Sequence, residues 1–348
     1  MNGKLICLLV LSVLFIADAK PKGKKGGKAK KVLEHSAAGP YFTVPVEVGS
    51  QRTKLLLGVD GFYGSAIVFS NRAGAGGGGF DRTKSSSWKV ADPDRHFDFS
   101  LGTAQGPSGT DYLRVGKLPP MKMAMFGNPD SATSNGLSKL PQAAGFIAMW
   151  APQAKDDDKT EMQHVVESAK KPIITFHAPA DLNGRHSVTI GKEDSTNCRN
   201  NWISLKNVAS LDTEQRPWTV QVDGFAWGAY KGAKQTVALN VGADYFVAPK
   251  VHANYIYNQL GAKYSNRYYG GLVNCNKLTS APDLVFVVGG KQLKISAKSY
   301  IKQFNSNTCL LNIYPDDINW WTLPYQFHQK RCVKYDYGAQ TVNIADQA

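Results

Sequence analysis

Apolar residues in this chain recur at every second position, and that spacing commits most of it to strands. Phe42, Val44, Val46 and Val48 alternate with Thr43, Pro45 and Glu47. Phe97, Phe99 and Leu101 repeat the pattern, as do Val188 with Ile190 and Trp218 with Val220 and Val222. A period of two lines one face of a strand, whereas a helix needs apolar residues three or four apart. Leu284, Phe286 and Val288 run into Gly289-Gly290 and then Leu293 and Ile295, which reads as a hairpin. Helical spacing is rare. Thr160–Lys171 is one candidate, with Glu161 early and Lys170-Lys171 late to suit the helix dipole. Pro249–Leu260 is another, opened by proline and closed by Gly261. The pattern predicts an all-β fold with a few short helices.

The N-terminus reads as a targeting segment. Lys4 leads the apolar run Leu5–Ile16, which ends at Ala17-Asp18-Ala19. A charge, a short apolar core and small residues before a cleavage point make residues 1–19 a signal peptide. A run of twelve residues is too short for a bilayer, which takes about 20. A secreted, extracellular protein with no transmembrane segment is expected. Cys7 leaves with the signal; Cys198, Cys275, Cys309 and Cys332 remain. An even number of cysteines in an oxidising compartment implies two disulfides, for which sequence alone allows three pairings. No Cys-x-x-Cys or His-Glu-x-x-His spacing supports a metal site. The glycine-rich stretch Asn71–Gly79 lacks the Lys-Ser/Thr ending of a phosphate loop, so no nucleotide or other cofactor is expected.

Half of the +14 net charge is local. Lys20, Lys22, Lys24, Lys25, Lys28, Lys30 and Lys31 lie among Gly and Pro, with no apolar face to bury. Residues 20–39 therefore read as a basic disordered tail. Such a tail suits an anionic polymer or cell surface, bound by charge and released by salt. A solvated tail that only aids solubility fits the same residues. No reader of nucleic-acid sequence is recognised.

Two segments carry a resemblance. Gly58–Phe69 reads GVDGFYGSAIVF and Val237–Pro249 reads VALNVGADYFVAP. Each resembles the strand-loop-strand that bears an Asp-Thr-Gly-Ser/Thr motif in pepsin-like aspartic peptidases, one per lobe. Tyr41–Gly49 is similar to that family's first strand, FDRTKSSSW at Phe80–Trp88 to its Phe-Asp stretch, and Phe99–Gly116 to its flap hairpin. Thr189–Asp194 resembles the inter-lobe strand. Trp218–Phe225, Trp321–Leu323 and Arg331–Asp336 resemble further stretches of the C-terminal half. The resemblance implies a bilobal fold, with an N-terminal lobe over residues 40–200 and a C-terminal lobe over 201–348. It also implies the pairings Cys275–Cys309 and Cys198–Cys332.

The same resemblance implies failed chemistry. The family's mechanism uses two close carboxylates that share one proton. Asp60 holds the first position and remains as a remnant; Asn240 replaces the second Asp. An amide neither takes nor gives that proton at ordinary pH. The bracing threonines are Gly61 and Val241. The following glycine is Phe62 in the first loop and Gly242 in the second, and the next positions are Tyr63 and Ala243. Phe62 and Tyr63 are bulky enough to fill the space of the attacking water. At the flap, Leu101-Gly102 stands where the family has Tyr-Gly. Phe146-Ile147-Ala148 and Trp321-Thr322-Leu323-Pro324 lie where glycine-ended triplets support each loop, with Ala148 and Pro324 in the glycine places. Lys20–Pro40 is shorter than the usual prosegment. Shifting the second motif so that Asp244 is catalytic loses the Ala248-Pro249 match.

Three functions are in view. The leading one is an inactive peptidase homologue that binds a peptide or protein ligand, with aromatics such as Trp320-Trp321 and Tyr268-Tyr269 serving either that contact or the core. An active or weakly active endopeptidase is the second. A polyanion- or matrix-binding protein using its lysine tail is the third.

Overall fold

The computed structural model describes residues 32–38, 41–61, 64–99, 102–132, 142–153, 155, 159–181, 184–208 and 216–348. Residues 1–19, expected to be a signal peptide, the seven tail lysines, Phe62, Tyr63 and Leu101 lie outside the described residues.

Strands dominate, as the alternation predicts, and the fold is the mostly β, bilobal pepsin-like architecture. The local pattern sets each strand. In Thr43–Val48 the even-numbered valines are buried, while Pro45 and Glu47 are only partly so. Leu284–Val288 pairs antiparallel with Lys291–Ile295 through Gly289 and Gly290, whose φ values are +54° and +77°. Both turn positions need the left-handed backbone that glycine adopts without steric cost.

One arrangement occurs twice. Thr53–Asp60 runs parallel to Gly145–Ala148, which pairs antiparallel with Ala66–Val68, which runs parallel to Met121–Gly127. In the other half, Gln235–Leu239 runs parallel to Trp320–Leu323, which pairs antiparallel with Phe246–Pro249, which runs parallel to Ile313–Asp316. Each set lies in its own sheet, of eight and five strands. In each half the first strand ends where a candidate loop begins, at Asp60 and at Asn240.

A six-stranded sheet draws on both halves of the chain. Its order is Leu33–Ala38, Arg185–Ile190, Ile173–Ala178, Arg331–Asp336, Thr341–Asp346 and Ile203–Lys206. Its first strand corrects the reading of 20–39 as tail, because Leu33–Ala38 is part of the fold. Leu33 is buried, and its side chain packs on Gly116 closely enough that a Cβ there would sit 2.5 Å from Leu33 Cδ1. Glu34 also pairs with Lys192 at 2.6 Å. The lysines just upstream hid a short segment with its own apolar anchor.

The two expected helices form close to where the spacing places them. Lys250–Leu260 follows Pro249 and ends at Gly261, with φ +64°. Glu161–Ser168 starts where expected, with Thr160 Oγ1 accepting the Gln163 N–H. It stops before Lys170-Lys171, so those lysines do not sit in its last turn. Pro172 follows, and the residue before a proline is biased away from helical backbone. Both disulfides form as the resemblance implies, Cys198–Cys332 and Cys275–Cys309. No described helix is long and apolar enough to cross a membrane.

Candidate functional site

The duplicated strands carry Asp60 and Asn240 to one place. Asp60 ends its strand opposite Ala148, and its carbonyl accepts the Met149 N–H at 2.7 Å. Asn240 follows Leu239, and its N–H donates to the Leu323 carbonyl at 2.9 Å. The expected supporting triplets thus lie directly beside the two loops, with Phe146, Ile147, Ala148, Trp321 and Leu323 all buried.

The loops touch through their glycines. Asn240 Oδ1 accepts the N–H of Gly61 at 3.3 Å and that of Gly242 at 3.1 Å. A Cβ on Gly242 would lie 2.8 Å from Asp60 Cα and 2.9 Å from its carboxyl carbon. A Cβ on Gly61 would lie 3.0 Å from the Leu239 carbonyl oxygen. Only residues without side chains permit that approach. Asp60 is fully buried and Asn240 is 3% exposed. Val241 and Ala243 are buried apolar groups and offer no hydroxyl to either loop.

Asp244 is held by a separate set of contacts. Its backbone carbonyl accepts from Lys302 Nζ at 3.0 Å, from Gln326 Nε2 at 3.0 Å and from Asn312 Nδ2. Its carboxylate lies 3.8 Å from Lys302 Nζ. Tyr325 donates its N–H to the Ala243 carbonyl and packs edge-on against Tyr41 at 5.3 Å. Burial, reinforced by the Asp244 charge, pushes the Tyr41 and Tyr325 phenols well above their ordinary value. Burial pushes Tyr245 up to about 12, with Asp244 and then Asp60 adding to it. These phenols stay protonated.

A buried acid supports the first loop from behind. Glu161 Oε2 accepts the Ala66 N–H at 3.0 Å, on the strand that leaves the Asp60 loop. Desolvation raises its carboxyl to about 8. Sequence reading placed Glu161 only as a helix-dipole residue, and it missed Tyr41, Lys302, Asn312, Tyr325 and Gln326. A tyrosine directly after Pro324 was the one local signal available; the others are ordinary polar residues in sequence.

The expected flap is a hairpin of Lys89–Phe99 and Gly102–Val115, with Phe99 opposite Gly102. Of the aromatics singled out, Trp321 is core and Tyr269 is 63% exposed. Tyr268 packs on Phe304 at 4.9 Å.

The family model described as eukaryotic aspartyl protease matches residues 41–347. Aspartic protease 17 of Caenorhabditis elegans is 24% identical over 282 residues, covering 77% of this chain and 70% of that protein. Aspartic protease 1 of the same organism is 24% identical over 283 residues, covering 76% and 69%. Embryonic pepsinogen of Gallus gallus is 23% identical over 273 residues, covering 76% and 69%. With paired strand-loop-strand units bringing Asp60 and Asn240 together and a match across nearly all of the folded body, the chain belongs to the eukaryotic aspartyl protease family.

Proposed function

We propose that the protein is secreted and holds a peptide or protein ligand over the Asp60 and Asn240 loops without cleaving it. One observation carries this reading: the group at the second loop is an amide whose oxygen is committed to the N–H groups of Gly61 and Gly242. Hydrolysis in this family passes a proton between two close carboxylates, and an amide does not titrate in the working range. Gly61, Val241 and Ala243 supply none of the hydroxyls that brace an active pair. The fold keeps the paired loops and the flap hairpin without a second titrating acid, which supports binding without turnover. Two disulfides fit an oxidising, extracellular setting.

Weak endopeptidase activity through Asp60 and Asp244 is the competing reading. Asp244 is engaged by Lys302 through both carbonyl and carboxylate, which favours a role in shaping the loop. The test is to pass a peptide library over the immobilised protein from acidic to neutral pH and analyse bound and unbound fractions by mass spectrometry. Retained peptides with intact ends support the proposal. New peptide ends that pepstatin suppresses sink it.

A further inference from the structure

A cavity of about 540 Å³ opens beside the segment that follows Pro324, and none of its lining residues belongs to the Asp60 or Asn240 loop. That volume suits a small molecule. Gln326 reaches its wall and is only 1% exposed. Its Nε2 donates to the Asp244 carbonyl at 3.0 Å, which fixes the orientation of the amide, because a carbonyl only accepts. Its Oε1 is then buried with no hydrogen-bond partner among the described residues. An orphaned buried acceptor is costly and calls for a donor.

The rest of the wall is built. Ser299 Oγ donates to Gln329 Oε1 at 2.9 Å, and Gln329 Nε2 donates to the Ala180 carbonyl at 3.3 Å. Lys294, Lys298 and Lys330 line the same cavity, and none of them forms an ion pair among the described residues. Asp181 and Asp283 stand there too, so the ammonium groups outnumber the carboxylates.

We propose that this cavity binds a polyhydroxylated carboxylate, a sugar acid of the uronate type. Its carboxylate sits among the lysines, one hydroxyl donates to Gln326 Oε1, and others face Asp283. A neutral sugar leaves the lysines uncompensated. A carboxylate without hydroxyls leaves Gln326 unsatisfied. Because the same Gln326 side chain holds the Asp244 carbonyl, occupancy is tied to the loop that carries Asn240. The inference concerns a site outside the peptide cleft and does not depend on whether that cleft is active.

The experiment titrates the full secreted chain at low ionic strength with glucuronate, glucose and cyclohexanecarboxylate, using calorimetry. Glucuronate is expected to bind about threefold to tenfold more tightly than either of the others, the range one net hydrogen bond supplies. A Lys294→Gln, Lys298→Gln double variant is expected to weaken glucuronate to the level of glucose. Gln326→Met is expected to weaken it to the level of cyclohexanecarboxylate. Equal binding of all three compounds, no saturable glucuronate binding, or unchanged affinity in the lysine variant overturns the proposal. Should Gln326→Met fail to fold, the lysine variant decides alone, since both of its changes are at exposed positions.

Discussion

Asn240 holds the Gly61 N–H on its side-chain oxygen at 3.3 Å, joining two loops that lie 179 residues apart in sequence. The same oxygen takes the Gly242 N–H, so one amide organises both loops. Asn240→Ala leaves two buried donors without an acceptor. A loss of about 2–6 kcal/mol is expected in denaturant unfolding, at roughly 1–3 kcal/mol per orphaned group. Asn240→Asp keeps an acceptor at the same place and is expected to lose less than half as much. Equal losses in the two variants would mean that this oxygen does not hold the loops.

Gly242 tests the contact from the other side. Its Cα lies against Asp60, and the nearest atom to an added Cβ is backbone at 2.8 Å, which cannot swing away. Gly242→Ala is expected to cost about 1–3 kcal/mol, the range for overpacking. Gly224→Ala, where the nearest atom is at 3.4 Å, serves as the comparison and is expected to cost clearly less. Similar values for both would contradict the close approach of the loops.

Two buried groups set opposite limits on pH stability. Desolvation raises Glu161 from 4.5 to about 8, so the folded protein keeps a proton that the unfolded chain releases. Its contribution is complete below 4.5 and is lost as pH rises through about 8. Desolvation lowers His328 from 6.5 to about 3, with Arg331 adding to it, so the unfolded chain takes a proton that the fold refuses. That contribution is complete above 6.5 and is lost as pH falls towards 3. The two slopes oppose each other between 4.5 and 6.5, where melting temperature is expected to vary least. Glu161→Gln is expected to flatten the decline above 6.5, and His328→Phe the decline below 4.5. A melting profile unchanged by either variant would refute the assignment.

The lysine tail gives a separable prediction. Deleting Lys20–Lys31 removes seven positive charges and leaves the strand Leu33–Ala38 in place. Retention on a heparin column is expected to fall and to lose most of its salt dependence. Unchanged retention would place any polyanion binding on the folded body.

Local pattern and distant contact divide what was legible in the sequence. Strand periodicity marked the hairpin at Gly289-Gly290, and the two strand-loop-strand segments located Asp60 and Asn240. Leu33–Ala38 escaped because six residues beside a lysine tail show too little alternation to stand out. Glu161 looked like a helix-start residue, and nothing nearby in sequence shows that the strand at Ala66 covers it. The partners of the Asp244 carbonyl come from Lys302, Asn312 and Gln326, which lie 58, 68 and 82 residues downstream. Polar residues so far apart carry no shared signal until the sheets bring them together.

The Asp60 and Asn240 loops are proposed to bind a ligand without cleaving it. The most direct measurement incubates the native protein and its Asn240→Asp variant with unfolded protein substrates from acidic to neutral pH, with and without pepstatin. No cleavage by the native protein is expected. The variant is also expected to stay silent, because Gly61, Phe62, Tyr63 and Leu101 still lack the groups that support a working pair. Pepstatin-sensitive cleavage by the native protein, abolished by Asp244→Asn, would contradict the account and make Asp244 the second catalytic acid.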